Sequence, residues 1–326
     1  MTQATVSPPA AARRSAGDAT TALAVRPPGR RRRRGFGARG SGLINLLYVP
    51  AVLLFAVFTV YPLISGVGYS FTNWDGYSPD KPFVGLENYL RLFQDDTFRQ
   101  VLANTFIYGI GSMVIQQILG LALALALDRP IRGRGVARAI IYLPVLVSPV
   151  IMGTMYYLLF QFNNGAFNDI VVAFGGDRVA WLSQPSAAVA IVVAVNSLQF
   201  VGISMIIYLA GLQSIPQTYY EAAMLDGAGT WQRFTGITIP LLQPAFATSI
   251  VLNLIGGLKL FDVIKVMTNG GPGYSTNSVS SLIGLTYFEN QSAGYASAMG
   301  VVLFIIIAIF TLALNALLNR RRLEQQ

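Results

Sequence analysis

Six stretches of this chain are apolar for the roughly 20 residues that a helix needs to cross a hydrocarbon core, and they lie near 43–68, 101–127, 139–161, 187–210, 244–267 and 296–318. Lipid inside a bilayer offers no hydrogen bonds, so every backbone polar group must be satisfied within the protein, and apolar runs of this length do so as helices. The expected fold is therefore an all-α integral membrane protein with six transmembrane helices. Charged residues make up 11% of the chain and hydrophobic ones 53%, against about 25% charged in soluble globular domains. Pro50, Pro62, Pro144 and Pro149 fall inside the runs. Neighbouring helices in a bundle can re-satisfy the carbonyls that such prolines free. Small residues (Gly109, Gly111, Gly256, Gly257) supply the close approach that helix pairs in lipid require.

The net charge of +9 is mainly a topology signal. Of the 23 basic residues, 17 lie in the N-terminal tail, in loop 128–138, at Arg233 and at Arg320–Arg322. Four (Lys81, Arg91, Arg99, Arg178) lie in the opposite loops, and Lys259 and Lys265 lie in the fifth run. The positive-inside rule puts both termini in the cytoplasm, as an even number of spans requires. No basic–aromatic surface remains for nucleic acid, so none is expected as a partner. Residues 1–42 read as a disordered, arginine-rich cytoplasmic tail that touches acidic lipid. Arg30–Arg34 with Gly35 and Phe36 resembles a twin-arginine export signal, but no A-x-A cleavage site follows the first run and five further apolar runs do. Residues 43–320 form the six-span domain and 321–326 a short cytoplasmic tail.

Cysteine and histidine are both absent. Thiolate and imidazole catalysis and zinc-finger chemistry go with them, and no catalytic residue, metal site or cofactor is expected. The external acids (Asp75, Asp80, Glu87, Asp95, Asp96) read as solvated faces. None of the lysines (Lys81, Lys259, Lys265) precedes Ser or Thr, so the chain has no phosphate-cradling GxxxxGK[ST] loop.

The cytoplasmic loop 213–243 carries an unusual pattern. Pro216 suits a first helical turn, 217–225 contain no helix breaker, and Gly227 and Gly229 then stop the helix. A second helical stretch, 230–236, ends before Pro240, and Pro244 opens the fifth span. A short helix with Ala222, Ala223 and a single acid, Glu221, can seat in a partner's groove. It can equally be a connecting helix packed on its own bundle.

The order Glu221-Ala222-Ala223, three residues, Gly227, nine residues, Ile237, one residue, Ile239-Pro240 resembles the EAA loop of ABC importer permeases, with isoleucine replacing the usual leucine before the proline. The likeness extends over about 45–320. Tyr61-Pro62 with Ser70–Trp74, Phe83–Tyr89 (FVGLENY), Phe261-Asp262 and Met267–Gly273 (MTNGGPG) are similar to segments of the carbohydrate permeases, on the maltose-permease side of the heterodimer. The resemblance implies a six-helix importer core with a cytoplasmic coupling helix. It implies coupling to a separate ATPase homodimer through Glu221, Ala222, Ala223, Asp226, Gly227, Ile237 and Pro240. It further implies a second permease, an external solute-binding protein and a sugar, an oligosaccharide, as substrate. Another solute such as glycerol phosphate or a peptide is the alternative within the class. A stand-alone secondary carrier is the alternative outside it, although matching halves are absent.

Polar side chains inside spans mark pathways or interhelical bonds, and Gln116, Gln117, Asn196, Gln199 and Asn253 are the candidates. Neutral amides suit hydroxyl-rich ligands because they both donate and accept. The resemblance places Asn196, Asn253, Gly256, Gly257 and Leu260 on sugar-contacting positions of the family's maltose member; Asn196 alone keeps the residue type. Gln199 completes the expected pathway set. Lys259 and Asp262, three apart on the fifth helix, are expected to form a structural ion pair; the alternative is contact with substrate, which would make a charged or phosphorylated ligand plausible.

Overall fold

The computed structural model describes residues 40–323, with side chains placed from Tyr48 to Leu318. The arginine-rich tail and its export-signal likeness lie outside these residues. The chain divides into two units. The first contributes helix α1 (Gly40–Phe55), mostly apolar in sequence and with Pro50 inside it. The second begins at Ala56 and carries α2 (Tyr61–Tyr69), α3 (Glu87–Gln94), α4 (Asp96–Phe106), α5 (Ser112–Asp128), α6 (Arg134–Leu146), α7 (Pro149–Leu159), α8 (Ala166–Ala173) and α9 (Pro185–Gln213). It continues with α10 (Gln217–Leu225), α11 (Thr230–Arg233), α12 (Ile239–Leu241), α13 (Gln243–Leu258), α14 (Asp262–Met267), α15 (Val279–Phe288) and α16 (Ala293–Leu323).

Four continuous helical stretches are long and apolar enough to span a bilayer: Tyr48–Tyr69, Asp96–Asp128, Pro185–Gln213 and Ala293–Leu318. Two more spans are bent. α6 and α7 meet at 96°, and the helix Thr230–Leu241 meets α13 at 63°. Counting each bent pair once gives six, as expected. The third span breaks where two prolines crowd it: Pro149 forces the preceding residue out of the helical region, and Val147 is extended (φ −82°, ψ 136°). The carbonyl freed there does not go unpaired. Gln199 on α9 donates to Val147 O at 3.1 Å.

The fifth span also differs from expectation. It ends at Leu258, and Phe261 (φ −134°, ψ −59°) leaves helical space before α14 begins at Asp262. Lys259 and Asp262 thus sit on either side of a break instead of one turn apart. Among the described residues the ion pairs are Arg99–Asp96, Arg178–Asp169 and Lys265–Glu289.

α9 is the axis of the bundle. It is the most buried of the spans, with one exposed stripe at Ala190, Ala194, Leu198 and Ile206, and packs most extensively against α5, then α6 and α13. Three apolar clusters follow along the bundle. Leu92, Phe98, Val279, Leu282 and Met299 join the helices of the α3–α4 and α15–α16 end. Tyr108, Val192, Val195, Val263 and Ile264 fill the middle. Ala124, Met205, Tyr208, Leu209 and Leu242 close the end that carries α10. At that end Leu242 is fully buried, and Gln243 Nε2 donates to Leu318 O at 2.6 Å.

Loops outside the spans are wired by short polar side chains. Asp95 caps α4 by accepting from Thr97 N at 2.8 Å, and Asp96 pairs with Arg99. The Asp75 carboxylate accepts from the backbone N–H groups of Ser78 and Tyr77; these bonds favour its charged form and hold it below the usual carboxylate range. The glycine-rich segment 268–277 hangs from α4 and its continuation. Asn104 Nδ2 donates to Ser275 O (2.7 Å), and Tyr108 OH donates to Thr276 O (2.8 Å).

Candidate functional site

Two places concentrate unusual chemistry: a cavity between α5, α9 and α13, and the surface of α10. The cavity, of about 290 Å³, lies where α13 breaks. Asn196 and Phe200 reach it from α9, one helical turn apart, and Gln116 from α5. Asn253, Gly256 and Gly257 come from α13, with Leu260 and Phe261 at the break. Five of the six expected pathway residues therefore line one cavity. The exception is Gln199, whose amide is committed to Val147 O. Its loss should not change substrate affinity. Gln199→Leu is expected to cost about 1 kcal/mol of stability, read as a lower thermal midpoint in detergent with an unchanged half-saturation for uptake.

The amides differ in what they have left to offer. Asn253 Nδ2 donates to Ser204 Oγ at 2.6 Å, and Ser249 Oγ lies 3.1 Å from the same hydroxyl. This small network orients Asn253 in the wall, and neither serine stood out in the sequence. Gln117 accepts from Tyr208 OH and lies away from the cavity. Asn196 is 2% exposed, and none of the described hydrogen bonds uses its side chain. Phe200, four residues on from Asn196, also escaped the polar-residue search, though helical spacing alone puts it on the same face. Lys259 and Asp262 both line the cavity, so the break turns an expected pair into two wall residues.

Gly256 and Gly257 play different parts. A Cβ on Gly256 would meet nothing within 4 Å, so its lack of a side chain leaves room in the cavity. A Cβ on Gly257 would fall 2.7 Å from Gly109 Cα and 2.8 Å from Tyr108 O. Here two backbones touch, and glycine is required by the crossing itself.

The second place is the segment after α9. α10 covers the expected 217–225, and its end is set by Gly227. This residue adopts φ +78°, Gly227 N donates to Met224 O, and Ala228 N donates to Ala223 O at 2.9 Å. The two bonds form a Schellman closure, which needs a left-handed residue at that point. The following helix is longer than expected: a wide turn at Phe234–Thr238 carries it through Pro240 to Leu241. Widening the turn accommodates the proline without breaking the rod. Tyr220 OH and Thr238 Oγ1, 2.9 Å apart, pin α10 to that rod. Glu221, Ala222, Asp226, Gly227 and Pro240 are exposed, whereas Ala223 and Ile237 are half-buried. Around them Leu225 (89%), Trp231 (73%), Tyr219 (53%) and Met224 (51%) present apolar surface, more than a closed connecting loop would leave uncovered.

The chain is similar to several known proteins. Residues 116–324 match the family described as binding-protein-dependent transport system inner membrane component. The trehalose/maltose transport system permease protein of Thermococcus litoralis is 36% identical over 274 residues, covering 84% of this chain and 92% of that protein. The diacetylchitobiose uptake system permease protein of Streptomyces coelicolor is 32% identical over 303 residues, covering 89% and 85%. A chain of a bacterial ABC transporter that imports the acidic polysaccharide alginate superposes with a TM-score of 0.76 at 26% identity, covering 86% of this chain and 96% of that one. A chain of a bacterial alginate ABC transporter in complex with alginate pentasaccharide-bound periplasmic protein superposes with a TM-score of 0.75 at 27% identity, covering 86% of this chain and 95% of that one.

Proposed function

The chain belongs to the family of binding-protein-dependent transport system inner membrane components, and from that premise we propose that it forms half of the translocation pathway of an ATP-driven oligosaccharide importer. The amide-lined cavity carries this reading: about 290 Å³ of space between α5, α9 and α13, with Asn196 in its wall. Amide groups both donate and accept, which matches a ligand made of hydroxyls. The apolar remainder of the wall suits the faces of sugar rings. The sugar-transport names of the relatives point the same way.

A pathway of this kind needs partners. The chain has no phosphate loop, so ATP is hydrolysed by separate subunits, docked on α10 through Glu221, Ala222, Ala223 and the apolar surface around Leu225. A second, homologous permease completes the cavity, and an external binding protein delivers the sugar. Both termini lie in the cytoplasm, on the side where the arginines gather. The six-span domain runs from 43 to 320.

Two experiments test this. A tagged chain drawn from its native membrane in mild detergent is expected to bring an ATPase and a different permease with it. A chain that purifies alone, from conditions that keep other membrane complexes whole, contradicts the importer. In reconstituted importer, Asn196→Ala is expected to raise the sugar concentration for half-maximal uptake by roughly three- to tenfold, the loss of one neutral hydrogen bond, with assembly unchanged. Unchanged half-saturation makes Asn196 a packing residue.

A further inference from the structure

Within that pathway, one buried oxygen has no partner. Gln116 is 1% exposed and lines the cavity. Its Nε2 donates to the backbone carbonyl of Asn196 at 3.2 Å, which fixes the amide and orients it. Its Oε1 is buried and accepts no hydrogen bond. A buried acceptor left unpaired costs roughly 1–3 kcal/mol, and polar side chains inside a span mark pathways or interhelical bonds; this oxygen makes no such bond. Other buried amide atoms also lack partners, on Gln117, Gln199 and Asn277. Among the described side chains that line this cavity, however, Gln116 alone carries one.

We infer that Gln116 is a specificity residue of the pathway, whose Oε1 accepts a hydrogen bond from a sugar hydroxyl in transit. One Nε2–H is spent on the Asn196 carbonyl, whereas Oε1 has no partner at all, so the unmet need at that point is for a donor: a hydroxyl supplies it, and an ether oxygen or a hydrogen in its place does not. Asn196 sits beside it with an amide free of the described hydrogen bonds, so the two supply an acceptor and a mixed donor–acceptor on neighbouring helices. An amide pair of this kind can hold one hydroxyl by donating to it and accepting from it together. A site built this way rejects an analogue lacking the hydroxyl more strongly than an apolar wall can.

The inference rests on the oligosaccharide reading, and its test separates the two. The complete importer, with its ATPase, companion permease and binding protein, is reconstituted in vesicles and supplied with maltose, trehalose, lactose and diacetylchitobiose. For the sugar that wild type carries fastest, a set of monodeoxy derivatives is compared with the parent. Wild type is expected to disfavour one derivative by roughly three- to tenfold in half-saturation, the worth of one neutral hydrogen bond. Gln116→Leu is expected to raise half-saturation for the parent sugar by that same factor and to leave that derivative unaffected. The yield of assembled complex remains at wild-type level. Gln116→Met, which keeps length but has no amide, should behave alike. If Gln116→Leu lowers complex yield or maximal rate with half-saturation and deoxy preference intact, the residue is only structural and the inference is wrong. If wild type carries none of the four sugars and its binding protein retains no other, the oligosaccharide reading falls, and this inference falls with it.

Discussion

Gly227→Pro is expected to strip the ATPase from the purified complex and to reduce uptake at least about tenfold, equivalent to about 1.4 kcal/mol of coupling, while leaving the amount of protein in the membrane unchanged. The reason is local. Gly227 closes α10 at φ +78°, whereas proline is locked near −65°. Its N–H also donates to Met224 O at 3.1 Å, a bond that proline cannot make. The helix end must therefore reopen, and Leu225 and Asp226 lose their places beside Glu221. Gly227→Ala should give an intermediate loss, since a left-handed alanine costs about 1–2 kcal/mol. Glu221→Ala tests the same surface without touching the backbone. Co-purification of the ATPase and counterflow of sugar are the two readouts. Wild-type values for both in Gly227→Pro and Glu221→Ala together would remove the coupling assignment.

The second large effect belongs to the crossing of α13 with the helical turn before α5. Gly257→Val should lower the detergent thermal midpoint by several degrees and reduce the protein recovered from membranes. The added β-carbon has no room, with Gly109 Cα at 2.7 Å and Tyr108 O at 2.8 Å. Overpacking of this kind typically costs about 1–3 kcal/mol. Gly256→Ala, one residue away, faces open space. It should leave the midpoint unchanged while altering uptake, because that residue lines the cavity. Identical midpoints for Gly257→Val and wild type would mean that the two backbones are not in contact.

Much of this was legible in the residues themselves. The spans follow from run length alone, because lipid leaves so few options for the backbone. α10 and its stop follow from Pro216 and Gly227, whose conformational preferences are local. The cavity side chains on α9 and α13 follow from helical spacing combined with the family's pattern. What was not legible depends on neighbours. Gln199 and Asn196 are both amides inside the fourth span, and residue chemistry alone does not tell which one meets a freed carbonyl and which meets a cavity. The broken third span supplies the difference, since Val147 O needs a donor and takes Gln199. The fifth span looks continuous to 267 because its apolar run is, and Lys259 and Asp262 then fall one turn apart. Phe261 ends it through a backbone turn that hydropathy does not register. Gln116 and Gln117 are adjacent and chemically identical, yet Tyr208 engages one and leaves the other on the cavity.

The joint between the Thr230–Leu241 rod and α13 has a mechanical consequence. It is held at one buried point, Leu242, with Gln243 tethered to Leu318 and the rod tied to α10 through Tyr220 and Thr238. The geometry is that of a lever on a pivot, with α10 as the short arm and α13 as the long one. Sixteen residues of helix make a long arm of about 24 Å at 1.5 Å per residue. A tilt of about 10° at Leu242 therefore carries the far end about 4 Å, and that far end holds Gly256, Gly257 and Leu260. Any displacement of α10 that this joint transmitted would therefore be magnified at the cavity wall.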